Sequence, residues 1–104
     1  MNAGVILAAG EGTRMGFPKQ IAEYKGETLI KQVTDLVSSF FDKVVVVLGY
    51  EPDLILDSTN FGSSELLINE NWSEGIGSSL RTAIMHLENF KEIENLFLFL
   101  ADQP

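Results

Sequence analysis

No cysteine occurs anywhere in the 104 residues. That excludes disulfides and thiolate metal sites and agrees with a cytoplasmic location. No apolar run approaches the length of a membrane span, so no membrane partner is expected. Met1-Asn2-Ala3 opens the chain without a basic region followed by an apolar one, and no secretion signal is expected. Positive charge is also scarce. Lys and Arg number 7 against 15 Asp and Glu, for a formal net charge of −8. A surface this acidic repels a phosphate backbone, which argues against nucleic acid as a partner. A small anion can still bind where a few cations and backbone N–H groups converge. Internal repeats, low-complexity tracts and linkers are missing as well, so one small domain with one core is expected.

Apolar residues, in contrast, make up 45% of the chain and come in short unbroken runs. These are Gly4 to Ala9, Lys43 to Leu48, Glu65 to Asn69 and Asn95 to Ala101. Runs without alternation suit strands buried on both faces, as in a parallel sheet. Between the first two, Leu29, Ile30, Val33, Leu36, Val37, Phe40 and Phe41 mark one face of a helix over Thr28 to Phe41, with Thr28 as candidate N-cap. Leu80, Ala83, Ile84 and Leu87 mark a second helix over Ser78 to Phe90, capped by Ser78 or Ser79. A shorter helix is expected to begin near Pro52. The order β-α-β-α-β-α-β implies right-handed crossovers and an α/β fold, a mostly parallel sheet with helices on both faces.

The stretch "LAAGEGTRMGFPK" (7–19) follows the first strand. A P-loop is excluded, because Gly16 is followed by Phe17 and Pro18 rather than Lys and Ser or Thr. A dinucleotide fingerprint is disfavoured. Its third glycine comes one place late, at Gly16, Pro18 would interrupt the following helix, and the second strand ends Leu48-Gly49-Tyr50 without an acid. An open loop remains, wrapping a nucleotide and its phosphates. Its glycines point N–H groups at phosphate oxygens. Arg14 and Lys19 add positive charge, and Pro18 holds the segment extended so that Lys19 projects. The plain alternative is a βα turn whose cations are merely solvated.

"LAAGEGTRMGFPK" resembles the signature loop of nucleotidyltransferases with a GT-A-like, three-layer Rossmann-like fold. "NENWSEGIGSSLRTAI" (69–84) is similar to the Trp-x-x-Gly-x-x-Ser-Ser-Leu segment of the molybdenum cofactor cytidylyltransferase-like (MobA-like) branch, and "LFLFLADQP" (96–104) to the end of its metal-binding strand. "PKQ" (18–20) is also similar to the cytidylyltransferases of isoprenoid synthesis, whose metal strand does not end in Asp-Gln-Pro.

The resemblance implies a sheet order beginning 3-2-1-4 and transfer of a nucleoside monophosphate from CTP to a phosphorylated acceptor, molybdopterin. CTP is favoured over GTP through Ala9. It further implies that Leu7, Ala8, Ala9, Gly10, Gly12, Thr13, Arg14 and Lys19 hold the nucleotide, with Gly75 and Ser79 against its base and sugar. Asp102 would carry magnesium. Arg14 and Lys19 would neutralise phosphates during in-line displacement of pyrophosphate. Family members continue well past the fourth strand, so residues 1–104 are expected to be the nucleotide-binding half of a single NTP transferase domain. The fourth strand would then be an uncovered edge, and a homodimer through that region is expected. A non-catalytic nucleotide-binding module or truncated inactive fragment, a sugar-phosphate or isoprenoid-pathway cytidylyltransferase, and a Rossmann-type redox domain are the competing readings. Trp72 is expected to anchor its loop by packing. His86 is expected to be solvated, and Glu88, Glu92 and Glu94 to form a hydrated surface.

Overall fold

The first apolar run becomes strand β1 (Asn2–Ala8) in the computed structural model, which describes residues 2–8, 13–14, 17–18, 23–24, 27–49, 52–58 and 61–100. Two short antiparallel ribbons follow. One pairs β2 (Thr13–Arg14) with β3 (Phe17–Pro18), the other β4 (Glu23–Tyr24) with β5 (Glu27–Thr28). Then come α1 (Leu29–Ser38), β6 (Lys43–Leu48), α2 (Pro52–Ser58) and β7 (Glu65–Ile68). A 3-10 turn (Trp72–Glu74), α3 (Ile76–Leu87) and β8 (Asn95–Leu100) complete the described chain.

Strands β7, β6, β1 and β8 form one parallel sheet in that spatial order. In the sequence order of these four long strands this is 3-2-1-4, as the family resemblance implies. The first two crossovers move the chain in one direction across the sheet. The third carries it back past β1 to the opposite edge.

This topology decides which face each helix covers. Alternate residues of a strand point to opposite faces. Ile6, Ala8, Val44, Val46 and Leu48 pack with Ile30, Val33 and Val37 of α1 and with Ile55 of α2. Ala3, Val5, Leu7, Val45 and Val47 face the other way and pack with Ala83 and Leu87 of α3. The central strands are thus buried on both sides, which is why their sequences show no polar alternation. Gly4 is where α1 comes closest. A Cβ at this position would lie 2.6 Å from Val37 Cγ1 and 3.0 Å from the Phe41 ring, so a larger residue would push α1 off the sheet.

Two details differ from the helical periodicity. Leu36 and Phe40 were expected on the buried face of α1, yet they are 62% and 75% exposed. The sheet contacts a stripe through Ile30, Val33, Thr34 and Val37, and Thr34 takes a buried place that the apolar pattern did not assign. Helix α3 begins two residues before Ser78, so neither serine is its cap. Gly75 holds that position with φ 103°, a left-handed value suited to glycine, and no side chain caps the helix. Among the described residues no helix is long and apolar enough to cross a membrane.

Candidate nucleotide site at the carboxyl edge of the sheet

The parallel register brings all four strand ends to one edge. Ala8 lies beside Leu48, Leu48 beside Ile68, and Leu7 beside Leu100. The chain leaves β1 in one direction and returns on its other side at β8, so the crevice between these strands is a topological switch point. Ligands of open α/β sheets bind at such points, outside the carboxyl ends. The glycine loop departs from β1 here, and β8 ends here two residues before Asp102 in the sequence.

Of the residues assigned from sequence, Leu7 and Ala8 stand at this edge. Leu7 points to the α3 face and Ala8 to the α1 face. Thr13 and Arg14 form β2, whose pairing with Phe17–Pro18 makes Pro18 part of an extended segment as expected. Ala9, Gly10, Gly12, Lys19 and Asp102 lie outside the described residues. Among the described residues no group of three or more carboxylate or imidazole side chains gathers where a metal ion could be held.

The connection from β7 to α3 starts at the same edge. The Asn69 backbone N–H donates to the Leu48 carbonyl at 2.7 Å, carrying the sheet pairing one residue past β7. Trp72 packs against the cluster that contains Leu7, Val5 and Val47. It therefore anchors its turn by packing, as expected, and ties this segment to the Leu7 face of β1. Gly75 and Gly77 are exposed, and a Cβ added at either would meet nothing within 4 Å. The backbone at the start of α3 is open to approach. Helix N-termini leave N–H groups without intrahelical acceptors and carry partial positive charge. Ser79 is buried, and its Oγ accepts a hydrogen bond from Asn69 Nδ2 at 3.0 Å. Asn69 itself escaped the sequence reading. Its signal was a polar residue set directly after an apolar run, two residues ahead of a second asparagine.

The expectation for His86 needs correction. Its Nε2 meets Glu65 Oε2, and its ring lies 5.4 Å from that of Phe90. Glu65 also accepts from Lys43, whose Nζ stands 4.1 Å from the Phe90 ring centre. The Lys43 hydrogen bond is the main cause holding the Glu65 carboxyl below its ordinary value, against an opposing push from burial, with His86 adding to the lowering. Lys43 and Glu65 open their strands, so this charged cluster sits at the amino edge, away from the glycine loop. Glu88, Glu92 and Glu94 are exposed, as expected.

The model of the MobA-like NTP transferase domain matches residues 4–104. The chain belongs to this family. Nicotine blue oxidoreductase of Paenarthrobacter nicotinovorans is 33% identical over 105 residues, covering 97% of this chain and 49% of the relative. The bifunctional protein GlmU of Prochlorococcus marinus (strain MIT 9211) is 32% identical over 107 residues, covering all of this chain and 23% of the relative. The chain thus spans half or less of the length of these curated relatives. Among solved structures, Rv0371c from Mycobacterium tuberculosis H37Rv superposes with a TM-score of 0.79 at 26% identity, over 98% of this chain and 51% of that one. The same protein has been solved in complex with manganese. This MobA-like chain therefore shares its Rossmann-like frame with Rv0371c, and its sequence relatives carry different names.

Proposed function

We propose that this MobA-like chain is the nucleotide-binding half of an NTP transferase domain, and that the domain moves a nucleoside monophosphate onto a phosphorylated acceptor. The observation that carries this reading is the end of β1, which lies at the switch point just before the glycine loop in the sequence, in a chain whose family match runs from residue 4 to 104. An oxygen of the acceptor phosphate attacks the α-phosphorus in line. The bond from that phosphorus to the bridging oxygen breaks, and pyrophosphate leaves with the electron pair. No protein nucleophile is needed, because positioning and charge neutralisation carry such a step.

The backbone from Gly10 to Gly12 cradles phosphates, and Arg14 and Lys19 offset their charge. Leu7, Ala8, Ala9 and Thr13 frame the nucleotide from the β1 side. Gly75 and Ser79 frame it from the α3 side. The Ser79 hydroxyl accepts from Asn69, which leaves its own proton to donate to a ligand. Asp102 would hold magnesium, a hard cation that suits a carboxylate oxygen. When bound, magnesium withdraws charge from the phosphates. Ala9 favours CTP over GTP, and the acceptor is molybdopterin phosphate, both on the family resemblance. The complex of manganese with Rv0371c supports a divalent ion in this fold. Strand β8, with Phe97 and Leu98 45% and 48% exposed, is the region through which two copies would associate.

A second reading is favoured by one observation. A relative matched over 97% of this chain is named an oxidoreductase, so the same crevice could seat a redox nucleotide. Titration of the protein with CTP, GTP and NADPH, each with and without magnesium, separates the two. Magnesium-dependent CTP binding, followed by pyrophosphate release in the presence of acceptor, supports transfer. Magnesium-independent binding of NADPH alone replaces it with the redox reading.

A further inference from the structure

We propose that Asn69 is a positioning residue, which fixes the Trp72–Gly75 turn and the first turn of α3 in the geometry that receives the nucleoside part of the ligand. The ligand half of this proposal rests on the nucleotide reading above.

Asn69 follows β7 and is 4% exposed. Each polar atom of its side chain is engaged. Nδ2 donates to Ser78 Oγ at 2.7 Å and to Ser79 Oγ at 3.0 Å, while Oδ1 accepts from the Asn71 backbone N–H at 3.0 Å. The amide orientation is unambiguous, because the Asn71 N–H can only donate and therefore faces the oxygen. Ser78 extends the network. Its Oγ lies 3.0 Å from both the Asn71 and the Gly75 carbonyls and donates its one proton to either.

What this network holds is a surface turn whose own backbone bonds are short-range, Glu74 N–H to the Asn71 carbonyl at 2.9 Å and Gly75 N–H to the Trp72 carbonyl at 3.1 Å. Residues 70, 71 and 73–77 are exposed, and no sheet pairing crosses them. The 3-10 turn has no side-chain cap and ends on Gly75 in a left-handed conformation. Trp72 fixes one point by packing. Asn69 ties the turn to the interior through the two serines and Asn71. A neutral buried network in which both polar atoms of Asn69 are paired favours one arrangement, since others leave those atoms without partners. Ordering the turn before the ligand arrives spares the ligand that entropy. Asn69 does this without touching the ligand, because its side-chain hydrogen-bonding groups point into the protein.

The test uses the intact chain with Asn69→Ala and Ser78→Ala, singly and together. Each protein is titrated with CTP, GTP and inorganic tripolyphosphate in magnesium. Trp72, the single tryptophan of the chain, reports on the turn through acrylamide quenching. Asn69→Ala is expected to weaken nucleotide binding about tenfold, to leave tripolyphosphate binding unchanged and to make Trp72 easier to quench. Ser78→Ala is expected to lose less. The double variant should be no weaker than Asn69→Ala, because both residues act through one network. Alanine suits a helix, so Ser78→Ala keeps the test alive if Asn69→Ala fails to fold. It must then itself lose nucleotide and spare tripolyphosphate. Equal losses of both ligands, additive losses in the double variant, or unchanged nucleotide binding would overturn the proposal. A wild type that binds tripolyphosphate and no nucleotide overturns the nucleotide reading and the ligand half of the proposal with it. The quenching result then decides the rest: unchanged Trp72 in Asn69→Ala overturns Asn69 as the holder of the turn.

Discussion

Strand β7 and helix α3 are tied together at both ends, by opposite kinds of chemistry. At the carboxyl edge the tie is neutral and buried, with Asn69 bonded to Ser78 and Ser79. At the amino edge it is charged and half open. Glu65, 36% exposed, meets His86 of α3 and Lys43 of β6. The difference follows from dielectric. A neutral amide can enter the interior once its few hydrogen bonds are made, and it then admits one geometry. Ions stay near water because full burial costs more than the attraction returns, and there the attraction is weak and screened. The edge at which β1 runs into the glycine loop carries the neutral tie, and the opposite edge carries the charged one.

The largest expected effect lies at the buried tie. Asn69→Ala leaves the Asn71 N–H and two buried hydroxyls short of a partner. It should lower stability by about 2–3 kcal/mol, read from the urea midpoint. A loss no larger than that of an exposed ion pair would erase the contrast between the two edges.

Two lysines then sharpen it. Lys19 belongs to the glycine loop, and Lys43 sits at the opposite edge against Glu65 and Phe90. Lys19→Ala should weaken triphosphate binding by about 1.5–3 kcal/mol, the range for hydrogen bonds to charged groups. Lys43→Ala should leave that binding unchanged, since its charge is already engaged. Calorimetric titration of both variants decides which edge binds the ligand. A loss confined to Lys43→Ala would reverse the assignment.

How far this contrast could be read in the sequence depends on range. The parallel sheet was legible because unbroken runs such as Lys43-Val44-Val45-Val46-Val47-Leu48 have few other uses in a soluble fold. The glycine loop stood out in the sequence because a P-loop fails at Phe17 and a dinucleotide fingerprint at Pro18, and its ligand role rests on the resemblance. The two short ribbons were not legible, since two-residue strands such as Thr13–Arg14 carry no periodicity. Serines at 78 and 79 looked like caps because serine favours that place, yet Gly75 starts the helix and frees both hydroxyls for Asn69. Neither tie was legible. Asn69 reaches partners nine and ten residues away, and Glu65 reaches His86 across 21. No local pattern encodes such pairs. His86 was read as solvated because it lies off the apolar stripe of α3, a position equally suited to a charged partner on the neighbouring strand.

A third variant measures the charged tie directly. Glu65→Gln keeps the shape and a weaker hydrogen bond but removes the charge facing Lys43. The loss should be about 0.5–1 kcal/mol at neutral pH, smaller than that of Asn69→Ala, and it should shrink in high salt. A salt-independent loss of several kcal/mol would mean that the amino edge is the stiffer one.

The smallest effect is the acid response of that tie. The Lys43 hydrogen bond keeps the Glu65 carboxyl below its ordinary value of 4.5 in the folded chain. In acid the unfolded chain then binds the proton more readily than the folded one, so in this window stability rises with pH. The contribution is complete above the unfolded value and is lost as pH falls through the lowered folded value. Water screens a carboxylate this exposed, which limits the change to about 0.5 kcal/mol. Urea melts of wild type and Glu65→Gln from about pH 6 to about pH 3 provide the measurement, with the gap between them closing toward the acid end. Asn69, Ser78 and Ser79 carry no titrating group, so the gap between wild type and Asn69→Ala should not close with it. If both gaps closed together, acid would be loosening α3 as a whole, and the two ties would not be independent.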